Sequence, residues 1–484
     1  MKKIYIITSV LLLVFCTECS EDFLVRPPLN QMSEESFWKT EDEAVLAVNA
    51  IYDALQTDMG YRLGHLMFGD VAGDDMTSFD GEWFVPHDNF TVNASDDETL
   101  RSWRAWWSGI ARANAVLDRV PSIVMNEELK SRLLNEAKFI RGVCYFNIVN
   151  IWGEAPIVTH ELEQSEIFTL TRKPKEEIWA QIEKDFLEAE ELLPLQYSSQ
   201  LGRATKGAAK AFLARTYLYQ NKFQLAADKA KEVIDLGIYD LHDDYIKNYQ
   251  TAYENGIESI FEVQFIAGTG GWGNNEGNWV PSFTGPSGNG YVPSSAWGIV
   301  LPSANFKNNF EPNDKRRAVN IFEAGSVYND IPFDPAWSPQ TGVMVAKYII
   351  GDPPVTTEGA VDAERNMPVI RYAEVLLIYA EALNELEQTA AAEEYLNKVR
   401  DRAGLGPKTG LGKDAFREAI FQERRIELFG EGHRFFDLRR IGKLDEYVRV
   451  KEGKANYKEP KNLYFPIPQG ERDLNPGLEQ NTGY

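Results

Sequence analysis

The sequence contains few cysteines and few histidines, and this scarcity excludes several kinds of site. Only 3 cysteines occur among 484 residues, too few for a disulfide framework or a cysteine-based zinc cluster. The 5 histidines are scattered, and no His-x-x-x-His spacing places two of them on one helix face. Neither a Gly-x-Ser-x-Gly nucleophile motif nor a phosphate-binding glycine loop is present. We expect no metal and no cofactor, although a structural Ca²⁺ is left open.

Basic residues are also scarce relative to acidic ones. The chain has 50 lysines and arginines against 73 aspartates and glutamates, which gives a formal net charge of −23. A nucleic-acid partner is excluded on this ground, because phosphate binding needs a basic footprint. The hydrophobic share of 44% is typical of a globular chain and excludes disorder throughout. Length alone predicts two or three domains.

The apolar run at the start of the chain is too short to span a bilayer. It extends from Ile4 to Phe15 behind Lys2 and Lys3, whereas a spanning helix needs about 20 residues. A basic start followed by such a run is typical of a secretory signal peptide, which we assign to residues 1–18.

Two of the cysteines follow this run. Cys19 precedes Ser20-Glu21-Asp22, and this arrangement resembles the lipid-attachment cysteine and acidic export signal of some Gram-negative surface lipoproteins. We predict lipid attachment at Cys19. Cys16, which has bulky Phe15 directly before it, is the alternative, and a secreted protein with two incidental cysteines is the third interpretation. Residues 19–40 then form the lipid anchor and an extended tether.

The body of the chain shows the periodicity of a helical scaffold. Apolar residues at three- and four-residue steps predict helices over 117–150, where Cys144 lies on the buried stripe, and over 174–193. Small alanines in two helices on either side of a turn, over 206–237 and again over 372–405, indicate hairpins of the tetratricopeptide (TPR) kind. The fold class predicted is therefore mainly α.

A loop-rich segment interrupts this scaffold. Residues 268–368 are rich in Gly, Pro, Asn and Ser, and a strand-like piece, 260–265, flanks them. A segment of that length without strong periodicity favours a function over an idle connection. We divide the mature chain into an N-terminal helical region, a loop-rich ligand-binding insert with short strands, and a C-terminal helical region with an extended tail, over residues 41–250, 251–368 and 369–484.

Blocks of residues along nearly the whole mature chain resemble the SusD/RagB family of outer-membrane lipoproteins, in the family's order. The block from Glu423-Arg424-Arg425 into 431–440, which reads Glu-Gly-His-Arg-Phe-Phe-Asp-Leu-Arg-Arg, is the most specific. The other blocks are Phe23-Leu24 with Pro27-Pro28, 135–142 through Tyr145-Phe146 to 152–156, 202–210, 371–377, and 464–468 through Asn475-Pro476 to Gln480-Asn481.

The resemblance implies a binding protein rather than an enzyme. Members of this family act as the extracellular lid of a SusC-like, TonB-dependent outer-membrane barrel, which takes up oligosaccharides or, in some members, peptides. The TPR helices face the barrel, and ligand is held on the exposed side. The resemblance thus implies a lipid-anchored protein of the cell surface with an oligosaccharide ligand and a SusC-like partner.

Sugar binding needs exposed aromatic rings among polar side chains, because the C–H faces of sugars pack on aromatic planes. Two stretches of the sequence combine these residue types outside the helical periodicity, and four of the 11 tryptophans fall between 272 and 337. The predicted ligand-binding residues are Asp74, Asp75, Trp83 and Asn89 in the first stretch, and Trp272, Asn274, Trp279, Tyr291, Trp297 and Trp337 in the second and beyond it.

Other conspicuous residues are better explained as structure. Trp103, Trp106, Trp107 and Trp179 lie on predicted helices, and Trp152 lies in a family block. The arginines of 424–440 have acidic neighbours, which indicates paired charges rather than a phosphate site.

Three alternative functions stay open. Aromatic loops also serve peptide ligands, and a TPR scaffold that binds only protein would not need the insert. A glycosidase would need two carboxylates across a cleft, for which Asp74, Asp75 and Glu82 beside Trp83 are the candidates.

Overall fold

The computed structural model describes residues 37–79, 82–268, 276–286, 296–350 and 362–484. Helices dominate the described residues, as the periodicity predicts. They are α1 Glu41–Asp53, α2 Gly64–Leu66, α3 Val85–Asp88, α4 Asp97–Arg119, α5 Glu127–Trp152, α6 Gln164–Ile167, α7 Lys175–Leu192, α8 Lys206–Tyr219, α9 Phe223–Asp235, α10 Val280–Thr284, α11 Arg316–Asn320, α12 Tyr372–Glu385, α13 Thr389–Arg402, α14 Lys413–Glu427, α15 Arg434–Arg440 and α16 Gln469–Leu474.

Side-chain caps fix where several long helices begin. Asp96 caps α4, Asn126 caps α5 and Thr205 caps α8, each by accepting a hydrogen bond from a backbone N–H of the first turn. The helix predicted over 174–193 is confirmed as α7. The prediction of a single helix over 117–150 is wrong, because α4 and α5 are two separate helices. Pro121 lies in the short turn between them, where its missing N–H costs no helical hydrogen bond.

Both predicted helical hairpins are present. Residues 206–237 fold as α8 and α9 around the turn 220–222, and residues 372–405 fold as α12 and α13. The alanines that suggested close helix crossing are buried, namely Ala211, Ala214, Ala226, Ala227 and Ala230. The long helices pack in one continuous row in the order α4, α5, α7, α8, α9, α12, α13. The helix that follows the insert therefore packs directly on the last helix before it.

Short antiparallel strand pairs organise the insert and tie it to the scaffold. The strands are β1 Met76–Ser78, β2 Ser259–Val263, β3 Val300–Pro302, β4 Ile321–Phe322, β5 Val327–Tyr328, β6 Ile331–Pro332, β7 Met344–Val345 and β8 Met367–Arg371. β2 pairs with β8 where the insert begins and ends, β4 with β7, and β5 with β6. β1, which ends about 170 residues before the insert begins, pairs with β3 inside it through Met76–Pro302 and Ser78–Val300.

The core is mainly apolar but holds many buried ion pairs. Arg371 donates to Glu258, Glu427 and Glu431 at 2.7–3.0 Å, and none of these side chains is exposed to a significant extent. Cys144 is buried, as predicted, and burial raises the pKa of its thiol well above the usual range. The tryptophans assigned to structure lie on α4, α5 and α7. None of the helices in the described parts of the chain has both the length and the apolar character that crossing a membrane requires.

Candidate functional site

The pairing of β1 with β3 brings the two aromatic stretches of the sequence to one place. Trp83 lies five residues after β1, and Trp297 lies three residues before β3. The hydroxyl of Ser78 donates to the carbonyl oxygen of Ile299 at 2.8 Å, and this hydrogen bond holds the two segments together in addition to the strand pairing. Two stretches that are about two hundred residues apart in sequence thus form one surface.

Phe283 of α10 is the centre of an aromatic cluster at this surface. Its ring stacks near Trp83 with 5.7 Å between centroids and 27° between planes, and it lies parallel to Trp279 at 6.4 Å and 5°. Trp297 meets Phe283 in a T-shaped contact at 5.0 Å and 71°. Such offset-stacked and edge-to-face arrangements are the preferred contacts of aromatic rings, so the cluster is a preformed element of the fold.

Two arginines flank the cluster. The guanidinium of Arg101 on α4 lies 5.5 Å from the Trp83 ring centroid, and that of Arg62 lies 5.1 Å from the Trp279 ring, within the range of cation–π attraction. Arg101 forms ion pairs with Asp58 and Glu98, and its side chain is 33% exposed. Arg62 is buried, and burial lowers the pKa of its guanidinium to about 10.

The exposure of the rings decides which can receive a ligand. Trp297 is 37% exposed and Trp83 is partly buried, whereas Trp279 and Phe283 are each only 3% exposed. The prediction that Trp279 contacts ligand is therefore corrected, since its ring is buried and packs parallel to that of Phe283. The site combines the exposed indole of Trp297, the partly buried indole of Trp83 and the guanidinium of Arg101, which are the residue types that the C–H face and the hydroxyls of a sugar need.

Asp74 and Asp75 do not belong to this surface. Both are buried, and Arg434 donates to the two carboxylate oxygens of Asp74 at 2.6 and 3.1 Å, while Arg425 bridges Asp74 and Asp75 at 2.9 and 2.6 Å. Carboxylates engaged in this way cannot hold a sugar hydroxyl or flank a glycosidic bond. We therefore remove both from the proposed ligand set and from the glycosidase hypothesis. The prediction of ion pairs holds for four arginines of 424–440, mostly with distant residues, namely Arg424, Arg425, Arg434 and Arg440. Arg439 instead donates to Asn150 and to the Leu463 carbonyl oxygen.

The remaining predicted residues divide into three groups. Trp337 is partly buried and packs on Phe333 at 5.5 Å in a small second core beside the insert strands. Asn89 is exposed at the end of α3, and its ligand contact stays a prediction. The residues that lie outside the described parts of the chain are Cys16, Cys19, Trp272, Asn274 and Tyr291.

No sequence motif indicates three residues of the site. Phe283 was hidden among prolines and glycines, and Arg62 and Arg101 lie in helical segments that no motif marked. The one available signal is that Arg62 and Arg101 bracket the first aromatic stretch. In the described residues, no group of three or more His, Cys, Asp or Glu side chains is arranged to hold a metal ion.

A second concavity lies on another part of the surface. It has a volume of about 400 Å³ and lies between residues 195–205 and 255–262, where Leu201 and Ile257 are exposed at its rim. Its aromatic side chains are engaged elsewhere, because Tyr239 stacks on Tyr372 and the hydroxyl of Tyr197 donates to the Ala204 carbonyl. It therefore offers a weaker sugar platform than Trp297.

Comparisons with known proteins agree with the architecture. Residues 257–484 match the model of the SusD family, and residues 25–218 match a model described as starch-binding associating with outer membrane. SusD-like protein P25 of Formosa agariphila is 31% identical over 544 aligned positions that cover all of both chains. A SusD-like protein of Bacteroides ovatus is 27% identical over 90% of this chain and 82% of its own length.

Solved structures lead to the same result. A laminarin binding SusD-like protein is 31% identical and superimposes with a TM-score of 0.79 over 92% of this chain and 100% of its own. A SusD homolog from Bacteroides thetaiotaomicron, 24% identical, shares the fold with a TM-score of 0.82 over 94% of this chain and 99% of its own. With its helical row, its insert and its full-length relatives, this chain belongs to the SusD family.

Proposed function

We propose that this protein captures oligosaccharides at the cell surface and delivers them to a SusC-like, TonB-dependent transporter of the outer membrane. The observation that carries the proposal is the exposed ring of Trp297, which packs together with Trp83 on Phe283, while the guanidinium of Arg101 lies at the Trp83 ring. We expect a sugar ring to pack on Trp297 and its hydroxyls to bind polar side chains around the cluster, with Arg101 as the first candidate.

Two further facts support a glycan as the ligand. The similar protein with 31% identity is described as binding laminarin, so laminarin is the first glycan to test. Of the three acidic residues predicted for a glycosidase, Asp74 and Asp75 are committed to Arg425 and Arg434, so Glu82 is the one candidate left from that set. We therefore propose binding without hydrolysis. Release of reducing sugar from any glycan by the purified protein would overturn that part.

The proposed location rests on the N-terminus and on the family. A lipid on Cys19 would anchor the protein to the outer membrane, and the model matched by residues 25–218 is described as associating with that membrane. The proposed transporter partner can be tested by purifying the tagged, lipidated protein from native membranes. We expect a TonB-dependent barrel to copurify in a fixed ratio. If the membrane contains such a barrel but the purified sample does not, delivery to it is contradicted.

The glycan site can be tested with a pair of matched variants. In Trp297→Ala the stacking surface is lost, and truncation of a central aromatic anchor costs about 2 kcal/mol, or roughly thirtyfold in Kd. Tyr253, which is 38% exposed, is the control because its exposure matches that of Trp297 but it lies in a different segment and packs on His242.

Isothermal titration with a panel of neutral and anionic glycans, laminarin included, gives the readout. Wild type and Tyr253→Ala should bind the same glycan with equal affinity, and Trp297→Ala should bind it at least tenfold more weakly. Equal binding by all three proteins would show that the site lies elsewhere. Binding of peptides but of no glycan would transfer the proposal to a peptide ligand.

A further inference from the structure

Lys454 is buried in a cage of oxygen atoms around the start of β1. Its side chain is only 6% exposed, although lysine is rarely buried unless its charge is paired. We propose that Lys454 is a positioning residue of the aromatic cluster, and that its charge holds Trp83 and Trp297 in place relative to each other. This inference rests on the proposed function, because it concerns the same site. It goes beyond that function in naming what keeps the site in shape.

The cage consists of three backbone carbonyl oxygens and one carboxylate oxygen. The ammonium of Lys454 donates to the carbonyl oxygens of Val71 at 2.7 Å and Gly73 at 2.6 Å, with a longer contact of 3.4 Å to that of Met76. It also forms an ion pair with Asp88 at 2.5 Å. Oxygen atoms that converge on one point repel one another unless a cation lies between them. The cage is therefore a cation site that the chain fills with its own side chain.

Asp88, the last residue of α3, connects this cage to β1. One of its carboxylate oxygens pairs with Lys454. The other accepts hydrogen bonds from the hydroxyl of Thr77 at 2.6 Å and from the backbone N–H of Ser78 at 3.1 Å. Ser78 in turn donates to the carbonyl oxygen of Ile299. A continuous series of polar contacts thus leads from Lys454 to the segment that precedes β3.

The two accessible rings of the cluster lie close in sequence to this series of contacts. Trp83 lies five residues before Asp88, and its carbonyl oxygen is 3.2 Å from the ring nitrogen Nδ1 of His87. Trp297 lies two residues before Ile299. A movement of Asp88 would therefore be passed to the backbone near each ring.

The segment that carries Lys454 also contacts the β3 side of the site. Glu452 lies two residues earlier, and its carboxylate accepts a hydrogen bond from the side-chain amide of Asn305 at 2.8 Å. Asn305 lies three residues after the end of β3. One short segment of the C-terminal region thus binds the chain next to both strands, which explains how it can set their relative position.

Removal of the charge with little change in volume tests the inference. In Lys454→Met the cage oxygens lose their cation, so we expect the turn 71–76 to separate from α3. Glycan should then bind about tenfold more weakly, because a binding site must be held within about 0.5 Å of its productive geometry. The matched control is Arg141→Met. Arg141 is also a buried cation, bound to Asp185 at 2.7 Å and to the Thr159 carbonyl oxygen at 3.2 Å, but it lies in the helical row.

Chemical rescue separates the role of the charge from a general loss of stability. Lys454→Ala lacks the atoms of a propylammonium ion, so added propylammonium should restore glycan binding to this variant, whereas 1-propanol should not. Wild type should bind glycan equally with and without either additive. The titrations use the glycan that wild type binds most tightly, at a temperature at which circular dichroism shows each variant to be folded.

Fluorine NMR of protein labelled with 5-fluorotryptophan gives a readout that needs no ligand. The resonances of Trp83 and Trp297 are assigned with Trp83→Phe and Trp297→Phe. Both resonances should shift in Lys454→Met and stay in place in Arg141→Met. In Lys454→Ala, propylammonium should return them toward their wild-type positions.

The outcomes separate this inference from the proposed function. Wild-type glycan affinity in folded Lys454→Met would overturn the inference and leave glycan binding intact, and so would unshifted Trp83 and Trp297 resonances. Equal losses of affinity in Lys454→Met and Arg141→Met would overturn it as well, because they would show an effect of stability alone. If wild type binds no glycan, the proposed function fails, and the fluorine resonances alone decide on Lys454.

A milder variant serves if Lys454→Met does not fold. Thr77→Val removes the hydroxyl that donates to Asp88 and keeps the shape of a side chain suited to a strand. It should weaken glycan binding and shift the Trp83 and Trp297 resonances in the same direction. Unchanged binding in this variant would overturn the inference.

Discussion

Replacement of Asp74 by alanine should destabilise the fold without removing the ligand site. The carboxylate of Asp74 receives three hydrogen bonds, two from Arg434 and one from Arg425, at 2.6–3.1 Å in a buried environment. Burial by itself would raise the pKa of Asp74, but the two guanidinium groups outweigh it, and the pKa lies below its usual value. The stability of the folded state therefore depends on the ionised form of Asp74.

The expected loss follows from the two arginines left behind. Removal of one partner from a buried ion pair costs about 3–5 kcal/mol, because the opposite charge stays buried without compensation. Here Arg434 keeps only a 3.4 Å contact to Asp75, and Arg425 keeps Asp75 at 2.6 Å. The unfolding entropy of a chain of this size is about 1 kcal/mol per degree, so a loss of ~4 kcal/mol corresponds to a decrease in Tm of about 4 °C.

Urea denaturation and scanning calorimetry of wild type and Asp74→Ala measure this effect. The control is Asp445→Ala, which removes a similar ion pair with Arg449 that is about half exposed at both ends. That loss should be about 0.5 kcal/mol or less. The folded Asp74→Ala protein should bind glycan as wild type does. A stable Asp74→Ala protein that has lost glycan binding would refute the structural role assigned here and return Asp74 to the ligand set.

The other predictions concern pH and the membrane anchor. Burial, above all, lowers the pKa of His65 to about 3, whereas the pKa in the unfolded chain is about 6.5. The unfolded state therefore binds the proton first, and the stability of the fold decreases as the pH falls between those two values. The free energy of unfolding should lose about 2 kcal/mol from this histidine between pH 7 and pH 5, and urea titrations that give the same value at both would contradict its burial in the neutral form. For the anchor, Cys19→Ala should release the protein from the outer membrane, whereas the Cys16→Ala protein should stay acylated. Mass spectrometry of the N-terminal peptide measures this, and the reverse pattern would place the lipid on Cys16.

The helical scaffold could be predicted because its signals are local. Alanines at helical spacing, such as Ala211 and Ala214, are visible within one segment of the chain, and they lie buried in the hairpin that they indicated. Pro121 shows what apolar periodicity alone does not reveal. The apolar period continues across this residue, but the chain turns there between α4 and α5.

The site could be predicted only in part because its geometry comes from distant pairings. The three-residue strands β1 and β3 carry no pattern that would reveal their partner, yet they bring Trp83 and Trp297 onto one surface. In the sequence, Asp74 lies among glycine and aromatic residues, which is typical of a ligand-binding loop. In the structure its carboxylate is bound by two arginines about 350 positions further along the chain. Local sequence reports the residue types of a site, whereas long-range contacts decide which of them stay free.

The crystal structure of the protein with the glycan that it binds most tightly tests the central claim most directly. The account predicts a sugar ring packed on the indole of Trp297, with its hydroxyls within hydrogen-bond distance of Arg101. A glycan bound in the concavity near Leu201 and Ile257, with the Trp297 ring still open to solvent, would contradict it.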